Sequence, residues 1–100
     1  MEIKDQELTF NIRHDMHEED WKDLMAAFEK LPGWEGVEPN GISYWYGKDE
    51  EDIHIRAFIT FNGLVVEGNM PDAIWAKWIL NFIEKISEAL GFEVKSIYHD

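Results

Sequence analysis

The chain has 100 residues, of which 21 are acidic and nine basic, with a net charge of −12 at pH 7 and no cysteine. This length suits one domain with one core, and the lack of cysteine excludes disulfides and thiolate metal sites. Such a negative surface repels nucleic acid and anionic membranes and attracts basic partners. No apolar run approaches the roughly 18 residues of a membrane span, and the first residues do not resemble a secretion signal, so we expect a cytoplasmic protein.

A first strand and a first helix are predicted over residues 8–14 and 18–31. Apolar and polar side chains alternate along the strand, whereas residues 1–7 are polar and are predicted to be a frayed end. Asp15 and Glu18 have the spacing of a capping box at the start of the helix. Apolar residues then recur at helical spacing until a Pro-Gly pair, which predicts the end of the helix.

The strongest signal in the chain is a β-hairpin with strands over residues 53–61 and 64–68. The Asn62-Gly63 pair between them favours a type I′ turn, because that turn needs two residues that tolerate positive φ. Upstream of the hairpin, a loop over residues 33–41 and a short strand over residues 42–46 are predicted.

A second helix is predicted over residues 71–90, followed by a last strand over residues 92–98. The helix is apolar nearly all round, which predicts deep burial, with Trp78 and Phe82 on its hidden face. The resulting order, β-α-β-β-β-α-β, predicts a single α+β domain over residues 1–100. Its sheet should be mostly antiparallel, with two helices on one face in a ferredoxin-like variant.

Two acidic segments are the first candidates for partner binding. Residues 1–52 hold 15 acids and 5 bases, a net charge of −10. A helix crossover most simply makes the first two strands parallel, which would bring the start of the first helix and the loop after the second strand to one edge. A cationic partner would explain a rim of eight carboxylates, and a solvated charged coat is the alternative. The rim residues are Asp15, Glu18, Glu19, Asp20, Asp49, Glu50, Glu51 and Asp52.

Three aromatic residues next to this rim are the predicted anchors of the interface. Tyr44, Trp45 and Tyr46 alternate along the second strand, so Trp45 faces the opposite way from both tyrosines. Tyrosine and tryptophan are enriched among the residues that dominate binding energy. We therefore expect either the tryptophan or the two tyrosines to face a partner, unless both faces of the sheet are covered.

No catalytic residue, metal ligand or cofactor is predicted. His14 and His17 span the junction between a strand and a helix, so they lack the i, i+4 spacing of a helical metal site. The sequence also contains no glycine-rich phosphate loop and no nucleophile elbow.

Several stretches spread over most of the chain point to one class of protein. They are Tyr44-Trp45-Tyr46-Gly47 with the acidic loop after it, Asn62-Gly63-Leu64, Glu67-Gly68-Asn69, Trp75-x-x-Trp78 and Leu90-Gly91-Phe92-Glu93-Val94. As an architecture they resemble the small acidic immunity proteins that bacteria encode beside polymorphic or contact-dependent toxins. The resemblance implies a non-enzymatic cytoplasmic inhibitor that binds a cognate toxin domain, commonly a basic nuclease, and blocks its active site. It assigns no role to any single residue.

Two alternatives remain open. The first is a small ferredoxin-like enzyme or ligand-binding domain that uses His14, His54 and tyrosines in a pocket. The second is a homodimer formed through an open sheet face that includes Trp45, Phe58 and Ile97.

Overall fold

A five-stranded antiparallel sheet with two helices packed on one face forms the domain. The structure is a computed structural model and describes residues 2–47 and 53–97. The sheet has the strand order β1-β5-β4-β3-β2, and every neighbouring pair is antiparallel. The elements are β1 (Lys4–Phe10), α1 (Glu18–Glu29), β2 (Trp34–Val37), β3 (Ser43–Trp45), β4 (His54–Thr60), β5 (Gly63–Met70) and α2 (Asp72–Leu90).

The predicted α+β class is confirmed, but the order of elements differs in two places. Residues 34–37, predicted as loop, form β2 and pair with β3 through an irregular register at Gly36. The last predicted strand, residues 92–98, contributes one isolated bridge among its described residues, between Ser96 and Phe10. The described order is therefore β-α-β-β-β-β-α, and the ferredoxin-like arrangement is not confirmed.

The first strand begins at Lys4 because its polar side chains have tertiary partners. The Lys4 ammonium lies 3.1 Å from the Asp72 carboxylate at the start of α2, and the Gln6 amide donates to the same carboxylate at 2.8 Å. Gln6 also donates to the Met70 carbonyl at 3.1 Å. These contacts order residues that were predicted to be frayed, and the strand ends at Phe10 rather than at residue 14.

The core lies between the inner face of the sheet and the two helices. Trp45 is completely buried, its ring centroid lies 5.0 Å from those of both Phe28 and Trp78, and its indole N–H donates to the Phe28 carbonyl at 3.1 Å. Trp78 and Phe82 are buried as predicted. The main inward-facing residues of the sheet are Phe10, Trp45, Ile55, Ala57, Leu64 and Val66.

The second helix is buried on one side only. Ile74 and Leu80 are exposed, which corrects the prediction that α2 is buried nearly all round. The reason is that the two helices form a single layer, so the side of α2 away from the sheet has no covering element among the described residues. Among the residues that the structure describes, no helix has both the length and the apolar character needed to cross a membrane.

The central hairpin turns one residue earlier than predicted. Thr60 pairs with Gly63, so Phe61 and Asn62 are the turn residues, and neither has positive φ. The turn is therefore not type I′. Glycine is required at the first residue of β5 instead, where φ is +145° and a Cβ atom would lie 2.3 Å from the Phe10 carbonyl oxygen.

Candidate binding surfaces

The described residues next to the two acidic segments of the predicted rim lie at opposite ends of the sheet. The unpredicted strand β2 reverses the chain, so β3 runs antiparallel to β1. Asp15 therefore lies beyond the end of β1. Gly47 and Ile53, which flank the second acidic segment, lie at the opposite end of the sheet, where β1 begins. The remaining predicted rim residues, Asp49, Glu50, Glu51 and Asp52, lie outside the described residues.

The acids at the start of α1 have local partners that explain their positions. Asp15 accepts two hydrogen bonds from the Arg13 guanidinium, at 2.9 and 3.1 Å, and this contact lowers the pKa of Asp15 below its ordinary value. Because Asp15 is engaged with Arg13, the predicted capping box is wrong, and His17 occupies the N-cap without a side-chain hydrogen bond. The first-turn acids Glu18, Glu19 and Asp20 supply the negative charge that the free N–H groups of the helix favour.

Only one of the three predicted aromatic anchors is accessible. Trp45 faces the core, and Tyr44 on the other face of β3 is only 6% exposed beneath its neighbours. Tyr46 is 40% exposed and adopts positive φ, with its N–H donating to the Gly33 carbonyl at 2.7 Å. The structure therefore corrects the prediction for Trp45, which serves as the centre of the core and cannot reach a partner.

His14 and His54 do not share a pocket. His14 packs edge-on against Phe61 at the hairpin turn, with ring centroids 4.9 Å apart. His54 begins β4, and the other six residues of that strand separate it from the turn. At about 3.3 Å per residue, the two side chains lie roughly 20 Å apart. No group of three potential metal ligands occurs among the described residues.

The second face of the sheet carries a cluster of charged residues that the sequence did not single out. Cross-strand pairing aligns Asp5 with Asn69 and His54, and aligns Glu7 with Glu67 and Arg56. Because alternate residues of a strand share a face, both rows lie on the face of the sheet that points away from the core. With Gln6 and Gly68 these residues line an open concavity of about 510 Å³, which we call the acidic cleft.

An ion pair forms the floor of the acidic cleft. The Arg56 guanidinium contacts the Glu67 carboxylate on the neighbouring strand, and both side chains are partly buried. Burial alone would lower the pKa of Arg56, but the hydrogen bond and charge of Glu67, with a smaller contribution from Tyr44, raise it overall. Arg56 therefore stays charged and partnered, and the carboxylates of Asp5 and Glu7 leave the cleft with a negative excess.

The same face becomes apolar toward the hairpin turn. The next row aligns Thr9 with Val65 and Phe58. Ile97 lies beside this row, because its N–H donates to the Thr9 carbonyl at 2.9 Å. The open face thus has an acidic half and an apolar half, and Phe61 at the turn lies at the apolar end.

Two sequence signals could have indicated this surface. Asp5 and Glu7 alternate with Gln6 and Leu8 at the period of a strand, but the strand was predicted to begin only at Leu8. Phe61 was assigned to the end of a strand, because the turn was placed at Asn62-Gly63. A one-residue shift of the turn moves Phe61 from the sheet to the exposed tip.

Comparisons with known proteins identified no relative: no protein-family model, no curated protein and no solved structure matches this chain.

Proposed function

We propose that this protein is a non-enzymatic inhibitor of the immunity class, which binds and neutralises a basic bacterial toxin domain of the nuclease kind. The observation that carries the proposal is the open sheet face, where an acidic cleft adjoins an apolar surface. The resemblance to small acidic immunity proteins supports the same class. In this proposal the protein acts in the cytoplasm of the cell that encodes the toxin.

The charge of the surface favours a basic partner. Three carboxylates, those of Asp5, Glu7 and Glu67, line the cleft against the single guanidinium of Arg56. The chain as a whole carries a net charge of −12, so a basic domain is attracted before contact. Such attraction acts mainly on the rate of encounter, and salt screens it over a Debye length of about 8 Å at physiological ionic strength.

The composition of the open face favours a protein partner over a small ligand. Specific interfaces combine an apolar centre with polar and charged surroundings. Phe58, which is partly exposed, supplies apolar area next to the cleft, whereas Val65 beside it is buried, and Tyr46 is an exposed aromatic residue beyond β3. Small-molecule sites are usually more enclosed and more apolar than this cleft.

The experiment is a binding measurement with the toxin domain encoded by the neighbouring gene, at low and physiological salt. We expect tight binding, with an association rate that falls as salt rises, and protection of cells that express the toxin domain together with this protein. If the purified domain does not bind at either salt concentration, the proposal is wrong.

A homodimer is the second candidate, because Phe58 and Ile97 both lie on the open face as that alternative predicts. Its third predicted residue, Trp45, is in the core. Pairing two copies through this face would also bring two acidic clefts together, which like charges oppose. Sedimentation of the purified protein over a range of concentrations tests this candidate, which requires a stable dimer.

A further inference from the structure

Phe61 is the most exposed of the large hydrophobic side chains in the described chain. Ninety per cent of its surface is accessible, whereas Leu80, the next most exposed, is 70% accessible. It stands at the tip of the β4–β5 hairpin, where its ring projects beyond the sheet. A large aromatic ring in this position is available to a partner without any rearrangement of the fold.

The turn holds Phe61 in a defined position. The Thr60 hydroxyl accepts a hydrogen bond from the Asn62 N–H at 3.1 Å and donates to the Gly63 carbonyl at 3.0 Å, so it ties both sides of the turn together. The His14 ring meets the Phe61 ring edge-on at an angle of 79°. A side chain that is ordered before binding loses little conformational entropy on binding, which favours affinity.

The surroundings of Phe61 connect it to the proposed binding face. A concavity of about 340 Å³ beside it is lined by His14, Asn62 and Ile97, among others. Ile97 also lies against Gly63 and next to Thr9 on the open face, so its side chain connects the surface of the sheet with the turn. Arg13, which also lines this concavity, is paired with Asp15, so these two side chains add no net charge next to the tip.

We infer that Phe61 is the apolar anchor with which this chain holds the basic domain of the proposed function, and the inference rests on that function. The partner offers an apolar recess for the ring on a basic surface, which the net charge of −12 of this chain attracts. Charge complementarity favours this occupant over a second copy of the chain. Two copies of the chain, each with a net charge of −12, repel one another.

This assignment separates two kinetic roles. The carboxylates of the open face act on encounter, so they govern the association rate and its salt dependence. Phe61 acts after contact, through desolvation and packing of its ring, so it governs the dissociation rate. The two contributions are separable by mutation because the residues lie at different ends of the open face.

The test is surface plasmon resonance of Phe61→Ala against the toxin domain encoded by the neighbouring gene, with Leu80→Ala as the matched control. Both substitutions remove an exposed hydrophobic side chain, but Leu80 lies on α2, on the opposite side of the sheet. We expect Phe61→Ala to raise the dissociation rate by about 30-fold or more, with an association rate within about twofold of wild type. Leu80→Ala should leave both rates unchanged.

Each outcome decides the inference. Equal dissociation rates for Phe61→Ala and wild type would show that Phe61 is not the anchor, and the proposed function would still stand. Failure of the wild-type protein to bind would remove the proposed function, and the anchor with it. If sedimentation instead shows a wild-type dimer that Phe61→Ala converts to a monomer, the occupant of the tip is a second copy and the inference is wrong. The melting temperatures of the two variants should match that of wild type, because both side chains are exposed.

Discussion

The indole rings of Trp45 and Trp78 meet edge-on with centroids 5.0 Å apart, and this contact joins the sheet to the second helix at the centre of the core. The indole N–H of each ring also donates a hydrogen bond to a backbone carbonyl near the end of α1. Trp45 donates to the Phe28 carbonyl and Trp78 donates to the Pro32 carbonyl, both at 3.1 Å. The two tryptophans therefore link β3, α1 and α2 in one cluster.

Removing one of these rings should destabilise the whole domain. Trp78→Ala leaves a cavity beside Trp45 and Phe82 and deprives the Pro32 carbonyl of its donor, so we expect a loss of about 3–5 kcal/mol in the free energy of unfolding. Chemical denaturation measures this loss, and Leu80→Ala on the exposed side of the same helix is the control. A loss below about 1 kcal/mol for Trp78→Ala would contradict its place in the core.

Gly63 should tolerate no side chain, for a reason that goes beyond its backbone angle. A Cβ at this position would lie 2.3 Å from the Phe10 carbonyl oxygen, so the pairing of β1 with β5 must shift. Gly41 is a matched control, because it also has positive φ, at +88°, but has open space around its Cβ position. We expect Gly41→Ala to cost about 1 kcal/mol and Gly63→Ala clearly more in a thermal or chemical melt. Equal costs would show that the contact with Phe10 is absent.

The predictions from sequence succeeded where patterning was regular and failed where a tertiary contact decided the structure. The alternation of β4 and the helical spacing of α1 and α2 placed these elements correctly. The strand β2 was missed because its four residues include Gly36 at an irregular position, and its stability depends on Trp34 packing against Trp45, with ring centroids 5.5 Å apart. No local pattern reveals such a contact.

One missed strand also changed the predicted binding site. Without β2, the chain direction of β3 was inverted, and two acidic segments were expected to converge although their described neighbours lie at opposite ends of the sheet. The acids that do come together, Asp5, Glu7 and Glu67, are distant in sequence and meet only through the pairing of β1 with β5. That pairing brings the first strand beside the fifth, which neither composition nor spacing indicates.

The contact between β1 and α2 predicts a specific dependence of stability on pH. Hydrogen bonds from Gln6 and then Lys4 lower the pKa of Asp72 below its ordinary value of 3.8. Because the pKa is lower in the folded state, this contribution to stability is present above the unfolded pKa and is lost as pH falls through the folded one. Asp72→Asn should therefore melt below wild type at pH 7, and the difference should shrink as pH falls below 3.8.

Thermal melts from pH 7 to pH 2.5 check this expectation. Glu88→Gln is a suitable control, because it removes one negative charge from the exposed side of the same helix. A gap between Asp72→Asn and wild type that stays constant over the whole range would show that the carboxylate of Asp72 does not act through its charge.

The most direct test of the claim that the open sheet face binds a basic domain is to remove two carboxylates from that face and, in a second variant, two carboxylates from another surface. Asp5→Asn/Glu7→Gln removes two exposed carboxylates from the acidic cleft and leaves the Arg56–Glu67 pair intact. Glu84→Gln/Glu88→Gln removes two carboxylates from α2, on the opposite side of the sheet, so both variants have the same net charge.

The measurement is the association rate of each variant with the toxin domain encoded by the neighbouring gene, at two salt concentrations. Local steering by the cleft predicts that Asp5→Asn/Glu7→Gln associates about three- to tenfold more slowly at low salt and depends less on salt, while Glu84→Gln/Glu88→Gln stays close to wild type. Equal association rates for the two variants would mean that only net charge matters, and would contradict binding through the open sheet face.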